Sequence, residues 1–367
     1  MRAVWRSVLV LLVVGAVSGG AASAAVGRSG HKPRRLAPFV VLPQWHRVSQ
    51  RATGDVTVTG RYVYIGDSGS GTHATVIDEQ TGKRLGLTPP AGCQFDDEND
   101  NFYPPLGGSW VVAGCPQSPG SPQGLAGESY ELYSIPHATW TPFRPNGTQM
   151  CALDAECAAT NGQDCGSSYA AIGERWIELE VTCGYHTYPS TAAFEQIDTG
   201  QVVPQPAGVG PGGRQVLDLS SPTLTQTLCA PLRVPSTGAI AIHGRFALES
   251  PRDVTGNLEQ TYLERCGSSV HMPIGGADSM FAASATAVLW TPVASGEIDG
   301  LLLPSLRPLK LRLPRHAASL CTRRTSPFCI TELALAGRTV YIVDLGYQVW
   351  SARIPLEKAR SRAHKPV

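Results

Sequence analysis

Apolar and polar residues alternate along most of this chain in short runs bounded by glycine. The clearest run is Val56-Thr57-Val58-Thr59-Gly60-Arg61-Tyr62-Val63-Tyr64-Ile65. Period-two alternation predicts strands with one face buried, and Gly60-Arg61 in its middle predicts a tight turn joining two of them. After a Gly/Ser loop the pattern resumes as Ala74-Thr75-Val76-Ile77-Asp78, and an Asp-x-x-Thr-Gly turn then leads to Lys83-Arg84. These segments read as one unit of four short antiparallel strands.

The unit returns, imperfectly, along the chain. Gly108-Ser109-Trp110-Val111-Val112, Gly173-Glu174-Arg175-Trp176-Ile177, Gly244-Arg245-Phe246-Ala247-Leu248 and Gly337-Arg338-Thr339-Val340-Tyr341-Ile342 repeat the turn and its strand, with Ala287-Val288-Leu289-Trp290 as a weaker echo. The strand that follows is echoed by Tyr130-Glu131-Leu132-Tyr133-Ser134-Ile135, Phe194-Glu195-Gln196-Ile197-Asp198-Thr199-Gly200 and Gln348-Val349-Trp350-Ser351-Ala352-Arg353-Ile354. Six units result, spaced by roughly 40 to 70 residues against the ~40 to 50 of a typical blade repeat, and the excess falls in loops rich in Gly, Pro and Ser. Ordered repetition predicts radial β architecture. A β-sandwich is the competing reading of short strands with turn signals, but it does not need a recurring unit. No amphipathic helix of three turns can be found.

These motifs resemble secreted bacterial β-propellers of the YVTN-like and quinoprotein-like kind. Their blade reads as a Gly-Lys or Gly-Arg turn, an aromatic and valine strand, then a valine-isoleucine-aspartate strand with Thr-Gly. The match is good in the first unit and partial elsewhere. It implies an all-β fold, a β-propeller of six or seven four-stranded antiparallel blades. The seventh is left open by residues 204–238, where Gln215-Val216-Leu217-Asp218-Leu219 and Thr223-Leu224-Thr225-Gln226-Thr227-Leu228 read either as an outer hairpin of the third unit or as a degenerate blade. Phe39-Val40-Val41-Leu42 is expected to supply the outermost strand of the last blade, whose own sequence stops soon after Ile354. Such folds host unrelated activities. The chain carries no adjacent Cys-Cys pair of the kind found in quinone-dependent propeller dehydrogenases, so the resemblance transfers a fold and no cofactor.

Residues 1–25 read as a secretory signal: Arg2 and Arg6, an apolar run over 8–14, and the small-residue region Ala22-Ser23-Ala24-Ala25. The run is too short to span a bilayer, and no transmembrane segment is expected in the mature chain. The organisation that follows is a basic disordered linker over 26–37, the propeller over 38–355 and a basic disordered tail over 356–367. Net charge is +1, and removal of the signal leaves 28 basic against 29 acidic residues. A near-neutral chain offers no general nucleic-acid surface. Both ends are basic, which suits solvated tails or contact with anionic envelope polymers.

Ten cysteines, an even count in an exported chain, argue for five disulfides. Near pairs are favoured: Cys93 with Cys115, Cys229 with Cys266 and Cys321 with Cys329, while Cys151, Cys157, Cys165 and Cys183 pair among themselves. Zinc would need close C-x-x-C pairs or matching histidines, and the sequence has no such pair.

Each candidate site has an ordinary structural explanation beside the functional one. Gly66-Asp67-Ser68-Gly69 resembles the nucleophile motif of chymotrypsin-like proteases, but that Ser needs a His and then an Asp on two preceding barrel segments, and the roughly 40 mature residues before Ser68 offer only His31 and His46 outside any Ala-His-Cys context, so the resemblance is rejected. Asp96, Asp97, Glu98 and Asp100 form a dense oxygen cluster that suits Ca2+, without the EF-hand spacing; a solvated connector is the plainer reading. Glu178 and Glu180 lie on one face of a strand about 6 to 7 Å apart, near the separations glycosidases use, but catalytic pairs usually come from different strands and Arg175 is near enough to neutralise one, so structural or surface carboxylates are the favoured reading. His73 and His186 precede the third strand of their units, and His271 joins them as a weaker candidate. Convergent imidazoles at a propeller mouth suit metal binding or acid-base work. Asn146-Gly147-Thr148 is a glycosylation sequon where the host glycosylates. The expected function is a secreted, non-catalytic binding protein for an extracellular protein or glycan of the cell envelope. The alternative is a polysaccharide hydrolase or lyase acting at the propeller mouth.

Overall fold

The computed structural model describes residues 38–49, 53–67, 71–95, 105–115, 126–127, 129–160, 162, 165–183, 191–204, 222–223, 239–243, 246–249, 261–265, 271–276, 279–292, 295–321 and 329–355. The expected signal, both basic ends and nearly all of 204–238 lie outside the described residues.

Strands dominate, and they pair locally because each alternating run is followed by a turn that reverses it. Thr53–Thr59, Tyr62–Asp67, Ala74–Asp78 and Arg84–Leu87 form the first sheet in sequence order. Leu106–Gly107, Trp110–Cys115, Ser129–Ser134 and Thr139–Phe143 form the second. The third contains Cys165–Ile172, Trp176–Cys183, Thr191–Gln196 and Val202–Pro204, with Ala126–Gly127 parallel to its first strand. Ala239–His243, Phe246–Glu249, Tyr262–Arg265 and His271–Pro273 make the fourth. The fifth holds Phe281–Ala283, Ala287–Trp290, Glu297–Leu302 and Arg307–Arg312, and the last holds Ile330–Ala336, Thr339–Asp344 and Val349–Arg353. All six strands marked in the sequence by the glycine turn, or by its weaker echo at 287–290, are second strands of their sheets.

The amino-terminal segment corrects one expectation. Phe39–Val41 does not reach the last sheet; it pairs in parallel with Arg307–Arg312 of the fifth. His46–Arg47 instead takes the outer edge of the last sheet, antiparallel to Val349–Arg353. Pro43 between them cannot donate to a ladder, so one strand becomes two short ones serving neighbouring edges. Trp45 Nε1 donates to the Arg312 carbonyl at 2.8 Å and fixes the crossing.

The core lies between sheets. Val63, Ile65 and Ile77 of the first sheet pack on Ala334, Tyr341 and Val343 of the last. Tyr64 and Val76 pack on Val111 and Tyr133 of the second, whose Leu132 and Tyr130 meet Ile177 and Leu179 of the third. Leu248 and Leu263 of the fourth meet Val288 and Leu301 of the fifth. Leu309 and Leu311 of the fifth meet Leu335 and Ile342 of the last. First strands also touch in turn, from the fifth sheet through the last, first and second to the third. Serial face-to-face packing of small antiparallel sheets is how propeller blades pack; a sandwich shares one core between two sheets. Each buried Leu or Ile contributes roughly 1.5 to 3 kcal/mol, so these seams supply most of the stability.

Gly107 shows how close the first strands come. A Cβ there would lie 1.6 Å from the Ile172 carbonyl oxygen of the third sheet, so no side chain fits. Ser109, two residues on, donates from both its backbone N and Oγ to the Glu174 carboxylate, each at 2.7 Å. Ser284 and Thr286 likewise both donate to the Gly337 carbonyl at 2.7 Å, joining the fifth and last sheets.

Four disulfides are described: Cys93 with Cys115, Cys151 with Cys157, Cys165 with Cys183 and Cys321 with Cys329. The expected Cys229–Cys266 pair lies outside the described residues. Among the described residues no helix is long and apolar enough to cross a membrane.

Candidate functional site

In a four-stranded meander, the connections between first and second and between third and fourth strands emerge at one end. Those between second and third strands, and from sheet to sheet, emerge at the other. The two ends of this molecule differ sharply. At the first lie tight turns such as Gly60-Arg61 and Gly337-Arg338, with Gly60 at φ 56° and Gly337 at φ 55°, a conformation that costs glycine nothing. At the second lie the helices Gly147–Cys151, Ala155–Thr160 and Arg315–Cys321, and all four described disulfides. Long connections on a rigid scaffold are where binding groups gather.

The best-organised group at that end centres on Asp344. It closes the second strand of the last sheet, where every residue from Val340 to Asp344 is buried and the carboxylate itself is 0% exposed. Its Oδ1 accepts from the backbone N of Gly346 at 2.8 Å and of Gln348 at 3.1 Å, which folds 345–348 into a compact turn. Its Oδ2 accepts from Trp350 Nε1 at 2.9 Å and lies 3.0 Å from His316 Nδ1. His316 comes from the helix Arg315–Cys321, which buries Ala317 and is tied by the Cys321–Cys329 bridge to the start of the last sheet. Gly346 lets the turn close onto that helix, since a Cβ there would meet Asp344 Oδ1 at 3.1 Å and Leu320 Cδ1 at 3.4 Å.

Two consequences follow. The His316 side chain stays 45% exposed while its Nδ1 is held by a buried carboxylate, the geometry that fixes an imidazole's orientation. Tyr347, at the tip of the turn, is held at φ 59° and is 48% exposed, so a large amphipathic ring is presented to solvent on a rigid support. Neither His316 nor Asp344 stands out in the sequence, because 28 residues separate them and no spacing rule joins a helix to a strand end. One signal was available: Gly66-Asp67 and Val343-Asp344 both end second strands with aspartate.

A second acidic feature lies on the first strands. Burial, and then the charge of Asp55 on the first sheet, push the Glu332 carboxyl of the last sheet up to about 7. Glu195 of the third sheet is also raised by burial, opposed by the backbone hydrogen bond from Asn146 at 2.8 Å.

The residues singled out from sequence are distributed as follows. Glu178 and Glu180 do share a face of Trp176–Cys183, but Glu178 is 1% exposed and Glu180 half-buried. Burial, and then the charge of Glu178, raise the hydroxyl of Tyr169. His73 is exposed just before Ala74–Asp78, with Nδ1 3.2 Å from Thr88 Oγ1. His271 begins the outer strand of the fourth sheet, and its side chain lies outside the described residues. His186, Asp96, Asp97, Glu98 and Asp100 lie outside the described residues as well. Asn146 of the sequon caps the helix Gly147–Cys151, its Oδ1 accepting from Gln149 N at 3.2 Å.

No protein-family model and no curated protein matches the chain. Among solved structures, it is similar to the β-propeller domain of Cps50 (Swd1) from Myceliophteria thermophila at 9% identity, covering 84% of this chain and 99% of that one, with a TM-score of 0.44. It is similar to YCF48, solved bound to D1 peptide, at 8% identity over 89% of this chain and 100% of that one, TM-score 0.41. The β-propeller domain of the Trilobed protease from Pyrococcus furiosus, described as having an open velcro topology, shares 7% identity over 79% and 78%, TM-score 0.31.

Proposed function

We propose that this protein is an exported, disulfide-braced propeller of six blades that binds an extracellular or envelope protein or glycan through its loop-rich end and catalyses nothing. The observation that carries the reading is the contrast between the ends: tight glycine turns at one, and helices, disulfides and the Asp344-supported Tyr347 at the other. A rigid aromatic on an ordered turn is a binding anchor, because little side-chain entropy is lost when it is covered. Ring closure by His46–Arg47 on the last sheet belongs to the same reading, as does cleavage of the signal near residue 25.

A polysaccharide hydrolase or lyase at the same end is the second reading, favoured by one observation, the exposed imidazole of His316 oriented by buried Asp344. The test is a binding screen against envelope glycans and peptides, with and without calcium. A ligand is expected whose affinity falls about tenfold or more in Tyr347→Ala and is unchanged in Lys83→Ala at the turn end. Product released from any polymer, and lost in His316→Ala, would replace the first reading with the second. The mass of the secreted chain tests the signal; an intact residue 1 would remove export by cleavage.

A further inference from the structure

Four cysteines with no metal-binding spacing in the sequence meet at the loop-rich end of the third sheet. Cys151 closes one helix and Cys157 lies in the next; Cys165 opens the first strand and Cys183 ends the second, directly across from it. In the oxidised chain they form the bridges Cys151–Cys157 and Cys165–Cys183. Those bridges are not remote from each other. The sulfurs of Cys157, Cys165 and Cys183 all lie within 4.8 Å of one another, and Cys151 is bonded to the first of them.

The surroundings suit a cation. Asp154 Oδ1 lies 3.6 Å from Cys183 Sγ and accepts from Cys157 N at 2.9 Å, while Oδ2 accepts from Thr191 Oγ1 at 2.6 Å. Backbone pairing and packing hold the register alongside the bridges. The strands pair from Gly166 opposite Thr182 to Ile172 opposite Ile177, and Met150, Leu179 and Val181 pack beneath.

We propose that the reduced protein binds one zinc-type divalent ion at Cys151, Cys157, Cys165 and Cys183. A tetrahedral thiolate site with Zn–S bonds of about 2.3 Å places its sulfurs about 3.8 Å apart, within the 4.8 Å that already bounds the Cys157, Cys165 and Cys183 sulfurs, and Cys151, bonded to Cys157, supplies the fourth ligand. The chemistry balances. A phosphine or dithiol reductant delivers four electrons, two to each disulfide, and four thiols result. Metal binding turns them into thiolates and releases four protons. Oxidation removes the four electrons, re-forms both bridges and expels the ion, so the four sulfurs serve as two disulfides or as one metal centre, never both.

The test uses the full chain, reduced with a phosphine under anaerobic conditions and titrated with Co2+ as a spectroscopic probe. One Co2+ per chain is expected, with sulfur-to-cobalt charge-transfer absorption, displaced by one equivalent of Zn2+ and absent from the oxidised protein. Alkylation mapping on the same unmutated chain reads the site directly: Zn2+ should protect Cys151, Cys157, Cys165 and Cys183 but not Cys93 or Cys115. Cys157→Ser and Cys183→Ser should each lose the absorption, and the paired Cys93→Ser, Cys115→Ser variant should keep it. Absence of a band from the reduced unmutated chain, folded or unfolded by circular dichroism, overturns the proposal. So does uniform alkylation in the presence of Zn2+.

Discussion

Tyr341 donates its hydroxyl hydrogen bond to the carboxylate of Glu79, 262 positions earlier in the chain. The same carboxylate accepts from Thr339 Oγ1 at 2.6 Å. Glu79 sits in the turn after the third strand of the first sheet, and both donors sit on the second strand of the last, so two sheets at opposite ends of the sequence share one acceptor. Burial first, and then the bond to Glu79, raise the Tyr341 hydroxyl above its ordinary range, and it remains a donor at any physiological pH.

This latch should be measurable. Glu79→Ala strands two donors at a largely apolar seam, for an expected loss of about 1 to 3 kcal/mol. In a double-mutant cycle with Tyr341→Phe, denaturant unfolding should return a coupling of about 1 kcal/mol or more. Strict additivity of the two single losses would mean that the contact contributes nothing.

The fold was more legible than the site, for a physical reason. Strand pairing here is local, so alternation and glycine turns at 60, 108 and 337 reported it directly. The near cysteine pairs, Cys93 with Cys115 and Cys321 with Cys329, were legible on the same grounds. Contacts between sheets have no periodicity. Glu79 reads as an ordinary turn carboxylate until Tyr341 is beside it, and Asp344 as the end of a strand until the helix brings His316. Sequence also misassigned Phe39 to Val41, because apolar alternation specifies a strand but not which of two adjacent edges receives it.

Glycine at 107 gives a steric prediction. Gly107→Ala must push the first strands of the second and third sheets apart, since the new Cβ would stand 1.6 Å from a backbone oxygen. A loss of about 3 kcal/mol or more is expected, above the usual range for overpacking. Gly86→Ala, where nothing lies within 4 Å of the added carbon, is the control and should change stability by less than about 1 kcal/mol. Similar melting of the two variants would refute the close approach.

Edge pairing by the amino-terminal segment predicts stepwise losses on truncation. Removing 26–37 should cost little, removing 26–42 should expose the outer edge of the fifth sheet, and removing 26–49 should uncover the last sheet as well. Hydrogen exchange should rise first at 307–312 and only in the longest deletion at 349–353. Simultaneous loss of protection at both edges in the intermediate truncation would contradict the two-edge assignment.

Glu332 makes stability depend on pH. Its folded carboxyl titrates at about 7, well above the ordinary value of 4.5, through burial and then the charge of Asp55. The native state therefore binds this proton more tightly than the unfolded chain. The resulting stability is fully present below about 4.5 and is lost as pH rises through 7. Glu332→Gln removes the dependence, so at pH 8 the variant should melt higher by about 2 to 4 °C, a shift on the order of 1 kcal/mol after solvent screening. Melting curves that stay parallel from pH 4 to pH 8 would rule the coupling out.

The final prediction separates a structural role from a chemical one at the loop-rich end. Asp344 is wholly buried and accepts from two backbone N–H groups and the Trp350 indole while holding His316. Asp344→Ala leaves all of these donors without their acceptor, and a loss of about 3 to 5 kcal/mol is expected. His316 is 45% exposed, and its pair with Asp344 is only partly shielded, so His316→Ala should cost about 1 kcal/mol or less. If the pair is a support for the turn that presents Tyr347, His316→Ala will retain most of its ligand affinity, and Asp344→Ala will lose affinity in step with its disordered turn. An acid-base centre behaves in the opposite way, because His316→Ala would then leave the melting temperature in place and cut turnover by about 100-fold or more. Measuring melting, ligand affinity and polymer cleavage on the same two variants decides between them, and the support role is the expected result.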